Sequence, residues 1–367
     1  MQALILAGGE GTRLRPLTST VPKPVVPLVD RPFLAYMLGW LRSHGVDDVV
    51  LACGFMASGV RNVLGDGGAY GVRLRYAEEP SPLGTGGAVK FAEPMLDERF
   101  LVLNGDVLTD LDLTAQMRRH EATGARATLA LIGVEDPSNY GLVRTAADGA
   151  VEEFVEKPSP DQIDTDLISA GAYVLERDVL ELIPAGQNVS IEREVFPELV
   201  GEGLYAVAAA GYWLDIGTPE RYLEATWDIL EGNVRTAVSE RVDGGFLAVD
   251  GGASVEGKIV PPALVERGAA IAPGAVVGSR AVLALGASVG ALSHVEGAVL
   301  LQGATVGEGC TIRNAILGPG VRIGDHCRVE DGAVLGEGAT VGVENVLAHG
   351  ARLAPGVSLP DSAIRFG

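Results

Sequence analysis

The chain has 367 residues, 47% of them hydrophobic and 21% charged, and a formal net charge of −20. That length favours two domains, each able to bury its own core, and no apolar run reaches the roughly 18 residues of a membrane span. So acidic a chain also argues against a nucleic-acid surface, since duplex binding rests on many Lys and Arg contacts to phosphate; any phosphate ligand must meet local clusters of cations.

A strand-like stretch, ALILA, begins just after Gln2 and runs directly into a glycine-rich segment. That leaves no room for a cleavable leader and predicts a soluble, cytoplasmic protein. In the helical run that follows, Phe33, Leu34, Met37, Leu38 and Leu41 fall on one face, and Gly45 is placed to end it in a left-handed cap. Further strands are expected at DDVVLAC, FLVLN, ATLALIGV, VEEFVE and AYVLE. This alternation, up to Val238, is the pattern of an α/β domain with a mostly parallel mixed sheet, whose ligands bind beyond the carboxyl ends of its strands.

From Gly251 to Gly367 the helical period vanishes and an aliphatic residue returns every six positions. Val265, Ile271, Val277, Leu283, Val289, Val295 and Leu301 form one run, Ile323, Val329, Leu335, Val341, Leu347, Leu353 and Leu359 another, with Val306, Ile312 and Leu317 bridging them. A six-residue step sustained over about a hundred residues predicts a parallel β-helix in which each flat face uses one repeat. The three cysteines, Cys53, Cys310 and Cys327, are widely spaced, lack C-x-x-C geometry and read as small buried apolar residues.

The segment with the strongest chemistry is Gly8-Gly9-Glu10-Gly11-Thr12-Arg13-Leu14-Arg15-Pro16-Leu17-Thr18, closing with Pro22-Lys23-Pro24. Its glycines let backbone N–H groups turn toward an anion, while Arg13 and Lys23 supply full charges suited to a triphosphate. The loop lacks both the third glycine of a dinucleotide fold and the G-K-[ST] of a P-loop.

This loop resembles that of the sugar-nucleotide pyrophosphorylases, a nucleotidyltransferase family, whose pattern G-G-x-G-T-R-L-x-P-L-T-x-x-x-P-K-P it matches position for position. The resemblance extends over nearly the whole chain. It implies a Rossmann-like nucleotidyltransferase domain over 1–238 and a left-handed β-helix of hexapeptide repeats over 251–367. It is nearest to the bacterial mannose-1-phosphate guanylyltransferases, down to Leu359-Pro360-Asp361-Ser362-Ala363-Ile364-Arg365-Phe366 near the end.

The reaction so implied joins an NTP, foremost GTP, to a sugar 1-phosphate, foremost mannose 1-phosphate, releasing pyrophosphate. Leu6, Ala7, Gly8, Gly9, Gly11, Thr12 and Arg13 are expected at the nucleotide, with Glu79, Leu83, Gly84 and Thr85 around the base. Relatives that take thymine or adenine carry Gln where Glu79 stands, and a carboxylate can accept from both guanine N1–H and N2–H₂. Asp106, in Asn104-Gly105-Asp106, and Asp215, ahead of a helix starting near Pro219, match family motifs that together hold Mg²⁺.

Glu156 and Lys157, in Phe154-Val155-Glu156-Lys157-Pro158, match the sugar-phosphate segment, joined by Gly141, Ser169, Gly171 and Glu192. Ser169 departs from the usual Asn. Arg13, Lys23, Asp106, Lys157 and Asp215 are the expected catalytic set. Three other readings stand beside this one. One is the same chemistry on glucose 1-phosphate with ATP, UTP or dTTP; another is a catalytically silent regulatory homologue; the third adds acyl transfer in the repeat through His294, His326 or His349. The flat faces and open end of the coil predict a homodimer or larger assembly.

Overall fold

A computed structural model describes residues 1–238 and 247–365. Phe366 of the C-terminal resemblance and Gly367, the last residue of the second predicted domain, lie outside them. The chain forms two compact units: Met1–Gly9 with Met37–Trp213, and Glu10–Tyr36 with the chain from Leu214 onward.

The first unit is built on one sheet. Its strands are β1 (Gln2–Leu6), β2 (Asp48–Cys53), β3 (Arg73–Glu78), β4 (Arg99–Asn104), β5 (Ala127–Gly133), β6 (Gly141–Thr145), β7 (Val151–Glu156), β8 (Leu167–Glu176) and β9 (Leu204–Ala208). Their order is β7-β6-β8-β4-β1-β2-β3, with β5 pairing both β8 and β9. The strands β4, β1, β2 and β3 run parallel, whereas β8 is antiparallel to β4, so the sheet is mixed. Nearly continuous apolar runs suit strands covered on both faces; Leu4, Val50, Phe100 and Val102 are fully buried in this core.

Helix α1 (Phe33–Ser43) begins at the first residue of the predicted apolar face. The five expected residues are buried, but so are Ala35, Tyr36 and Trp40. The two aromatics can leave water because their polar ends are satisfied: Tyr36 Oη donates to Leu28 O at 2.9 Å and Trp40 Nε1 to Leu111 O at 2.9 Å. Gly45 takes φ 76°, the left-handed cap conformation read from the sequence.

The second unit contains a left-handed parallel β-helix, seen as three stacked parallel sheets of seven, seven and six strands. Three aliphatic columns fill its interior, one of them Val265, Leu283, Leu300, Leu317, Leu335 and Leu353. The register departs from the expected one at a single point. Leu300, not Leu301, pairs with Leu283 and enters the core, so the first five-residue step falls one repeat early. Leu301 is also only 2% exposed, but it lines a small apolar cavity with Leu17, Val26, Pro27 and Pro319 instead.

All three cysteines are buried and free. Cys310 and Cys327 occupy equivalent points of successive coils, their Sγ atoms directed at Gly324 O and Gly342 O. His326 and His349 are corner residues with positive φ, and His294 lies 3.5 Å from Glu296.

Candidate active site

The carboxyl ends of the four parallel strands lie side by side, with Leu6 opposite both Asn104 and Ala52, and Cys53 opposite Glu78. Just past these ends the loops stay laced together: Ala7 N–H donates to Ala52 O, Gly105 N–H to Leu6 O and Glu79 N–H to Cys53 O, all within 2.8–2.9 Å. The segments Ala7–Gly9, Asn104–Asp106 and Glu79 therefore leave the sheet along one edge. Position 105 must be glycine, because a Cβ there would stand 2.6 Å from Leu6 O.

Gly8 and Gly9 are exposed, and one Glu79 oxygen lies 3.5 Å from where a Cβ on Gly8 would stand. The other accepts from Leu83 N–H at 3.2 Å. Burial raises the pKa of Glu79, and that hydrogen bond opposes the shift without cancelling it. Helix α2 (Ala57–Leu64) lies upstream, between β2 and β3, and the Glu79 carboxylate joins the glycine loop to the segment leading into α3 (Gly84–Ala92), which begins with Gly84 and Thr85.

The start of α3 is clamped from the far side of the chain. Gly86 N–H donates to Val189 O at 2.8 Å, and Val189 N–H to Leu83 O at 2.9 Å. The Thr85 hydroxyl, of the segment expected around the base, donates to Glu192 Oε2 at 2.6 Å and accepts from Ile191 N–H at 3.0 Å. Glu192 sits in a π-helical turn, Ile191–Val195, and also accepts from Ser190 Oγ at 2.8 Å and Tyr173 Oη at 3.4 Å. Sequence reasoning missed this Thr85–Glu192 link, since 107 residues separate the two and no periodicity relates them.

Glu156 lies near Glu192. Burial first, and then the Glu192 charge, raise its pKa against the opposing charges of Lys157 and Arg193. A Cβ on Gly141 would meet Phe154 Cζ at 2.5 Å and Glu156 Oε2 at 3.1 Å, so the glycine admits the carboxylate beside it. Lys157 adopts φ 54°, with its N–H held by Tyr140 O at 3.0 Å. Gly171, at φ 70°, packs on Asn104, where a Cβ would lie 2.6 Å from Nδ2.

Ser169 Oγ is buried and lacks a hydrogen-bond partner of good geometry among the described residues. A further side chain not singled out from the sequence, Trp213, donates to Ala170 O at 2.8 Å and sets its ring edge-on to Tyr140 at 5.3 Å. It ties the segment before Gly141 to the segment before Gly171.

The second unit gathers the rest of the predicted residues: Gly11, Thr12, Arg13, Lys23 and Asp215. Gly11 is left-handed at φ 62°, and a Cβ there would lie 2.9 Å from Lys23 Cβ. Thr18 donates to Gly11 O at 2.7 Å, and a single 3₁₀ turn, Thr12–Leu14, carries Arg13. Lys23, between two buried prolines, is 8% exposed. Asp215 comes well after α4 (Leu113–Thr123) and lies just ahead of α5 (Pro219–Glu231), whose first turn is capped by Thr218. A Cβ on Gly217 would stand 2.7 Å from Arg13 Nη2 and 3.1 Å from Asp215 Oδ1, so cation and carboxylate converge on that glycine.

Both parts of the chain are similar to known proteins. The family model described as nucleotidyl transferase matches residues 2–232, and one described as the GMPPB C-terminal domain matches 259–364. A mannose-1-phosphate guanylyltransferase of Mycobacterium tuberculosis is 38% identical over 279 residues, 75% of this chain and 77% of that protein. A UTP–glucose-1-phosphate uridylyltransferase of Synechocystis is 36% identical, covering 64% of this chain and 65% of that protein. The crystal structure of HddC from Yersinia pseudotuberculosis complexed with GMP-PN superposes with a TM-score of 0.53 at 30% identity, covering 61% of this chain and 97% of HddC.

Proposed function

The chain belongs to the nucleotidyl transferase family, and from that premise we propose that it joins GTP to mannose 1-phosphate, giving GDP-mannose and pyrophosphate. The observation that carries the choice of base is Glu79: a half-buried carboxylate beside Gly8, with one oxygen on Leu83 N–H. Guanine offers it two adjacent donors, which adenine, uracil and thymine do not. The relative from Mycobacterium tuberculosis supports mannose 1-phosphate, and the HddC complex supports a guanine nucleotide. The Synechocystis relative supports the rival pair, UTP with glucose 1-phosphate.

In the reaction, an oxygen of the sugar phosphate attacks the α-phosphorus in line. A new P–O bond forms as the bond to the β-phosphate breaks, and pyrophosphate leaves with the electron pair. The nucleophile is already an anion, so no side chain need attack. Arg13 offsets charge on the departing pyrophosphate, Lys23 holds the triphosphate, and Lys157 draws in the sugar phosphate. Backbone N–H groups of Gly8, Gly9 and Gly11 with Thr12 line the phosphates, while Leu6, Ala7, Leu83 and Gly84 flank the nucleoside. Glu156 and Glu192 accept from sugar hydroxyls, with Gly141, Ser169 and Gly171 around them; the buried Ser169 Oγ supports a ligand contact there.

Asp106 and Asp215 fit Mg²⁺ by the chemistry of their donors. Both are hard oxygen ligands, and among the described residues no cluster of three or more His, Cys, Asp or Glu competes as a closed cage. When bound, Mg²⁺ neutralises phosphate charge that these carboxylates would otherwise repel.

Pyrophosphate release over a grid of GTP, ATP, UTP and dTTP against mannose, glucose, galactose and N-acetylglucosamine 1-phosphates tests the proposal. Strongest turnover is expected with GTP and mannose 1-phosphate, and a peak in another cell moves the specificity. Glu79→Gln is expected to cut the preference for GTP over ATP roughly 10- to 150-fold, the worth of a charged hydrogen bond; an unchanged ratio removes Glu79 from base selection.

No helix of the described residues is long and apolar enough to cross a membrane, and we place the protein in the cytoplasm as a homo-oligomer. Leu292 and Leu285, 68% and 40% exposed on the coil, support self-association. Light scattering at micromolar concentration is expected to give a dimer or larger, and a monomer would remove this part of the proposal.

A further inference from the structure

Arg352 lies on a strand of the β-helix, Arg352–Leu353, whose next residue points into the coil. Its Nη1 donates to two main-chain carbonyls of the glycine-rich loop, Arg13 O at 3.1 Å and Arg15 O at 2.5 Å. The loop's own hydrogen bonds do not use these carbonyls. Leu14 N–H takes Gly11 O, Arg15 N–H takes Thr12 O, and the Thr18 hydroxyl takes Gly11 O. The loop thus closes the turn around Arg13 by itself, and the coil adds a second hold on the two carbonyls this leaves over.

Downstream, Leu17, Val26 and Pro27 meet Leu301 and Pro319 around the small apolar cavity. Apolar contact of that kind is non-directional. A guanidinium spanning two carbonyls is directional and fixes where the turn sits. Its charge is felt nearby as well: burial raises the pKa of Glu220, but the residue's own backbone N–H, the Thr218 hydroxyl and the Arg352 charge together bring it below its usual value.

We infer that Arg352 is a positioning residue for nucleotidyl transfer: through the carbonyls of Arg13 and Arg15 the β-helix sets the turn that presents the Arg13 guanidinium beside Gly217 and Asp215. The coil then has a part in the reaction beyond assembly. This rests on the nucleotidyl-transfer reading of the loop.

The test compares Arg352→Ala, Arg352→Gln and Arg352→Lys with the wild-type chain by steady-state kinetics and by hydrogen exchange. Arg352→Ala is expected to raise KM for GTP and lower kcat, each roughly tenfold for the loss of charged hydrogen bonds, with KM for mannose 1-phosphate unchanged. Arg352→Lys, which keeps a charged donor, should recover part of the loss, and Arg352→Gln less. Exchange should quicken in residues 10–20 and stay the same elsewhere. Equal changes in both KM values, or exchange in residues 10–20 matching wild type, overturns the inference and leaves Arg352 a surface contact. Hydrogen exchange needs no turnover, so an inactive wild-type chain would count against the proposed function while the loop assignment is still decided.

Discussion

Asp106→Asn and Asp215→Asn are each expected to lower kcat roughly a hundred- to a thousandfold, the scale of losing one transition-state charge partner. The substitution keeps shape and removes charge, so the fold should tolerate it. Asp106 follows the laced turn at Gly105, and Asp215 faces the glycine that also meets Arg13. Neither is in the hydrophobic core. Melting temperatures should stay close to wild type, the Mg²⁺ concentration for half-maximal rate should rise, and excess Mg²⁺ should restore part of the activity. The double variant should cost less than the product of the two single losses, because in the proposed assignment both act through one ion and so as a unit. Near-normal turnover with an unshifted Mg²⁺ dependence in either variant would strike that residue from the metal assignment.

Lys157→Met is expected to act on the other substrate. Removing a charged hydrogen bond to phosphate costs about 1.5–3 kcal/mol, roughly 10- to 150-fold in kcat/KM for mannose 1-phosphate. KM for GTP should hold. The methionine keeps the length of the stem, and the backbone strain at φ 54° is present in both residues, so stability should change little. Loss of the neighbouring cation should also push the already raised pKa of Glu156 further up. The acid limb of the pH profile should then move toward neutrality. A variant that loses GTP affinity and sugar-phosphate affinity alike would place Lys157 outside the sugar-phosphate site.

The glycine-rich loop and the two strand-end carboxylates were legible because each is a local pattern, carried by residues next to one another. The coil was legible for a related reason, since one aliphatic residue per face repeats at a fixed step. Its one misreading falls at Leu300-Leu301, where both residues are buried, one inside the coil and the other beneath the segment around Leu17. Two adjacent leucines look alike to a periodicity count. What could not be read were contacts between remote residues: Thr85 with Glu192, Trp213 with Ala170, and Arg352 with the loop. Thr85 belongs to a familiar motif, yet its hydroxyl faces a carboxylate that only the fold brings near.

The hydrogen bonds of Arg352 join residues 339 and 337 positions apart. On a ribosome adding about 5–20 residues per second, the loop would leave the tunnel roughly a quarter of a minute to a minute before its clasp is made. The parallel strands of the first unit can pair in that interval, but the turn carrying Arg13 gains its hold from the coil only once residue 352 has been made. A ribosome stalled within the repeats would therefore release a chain whose parallel strands can pair while the glycine-rich turn still lacks its clasp.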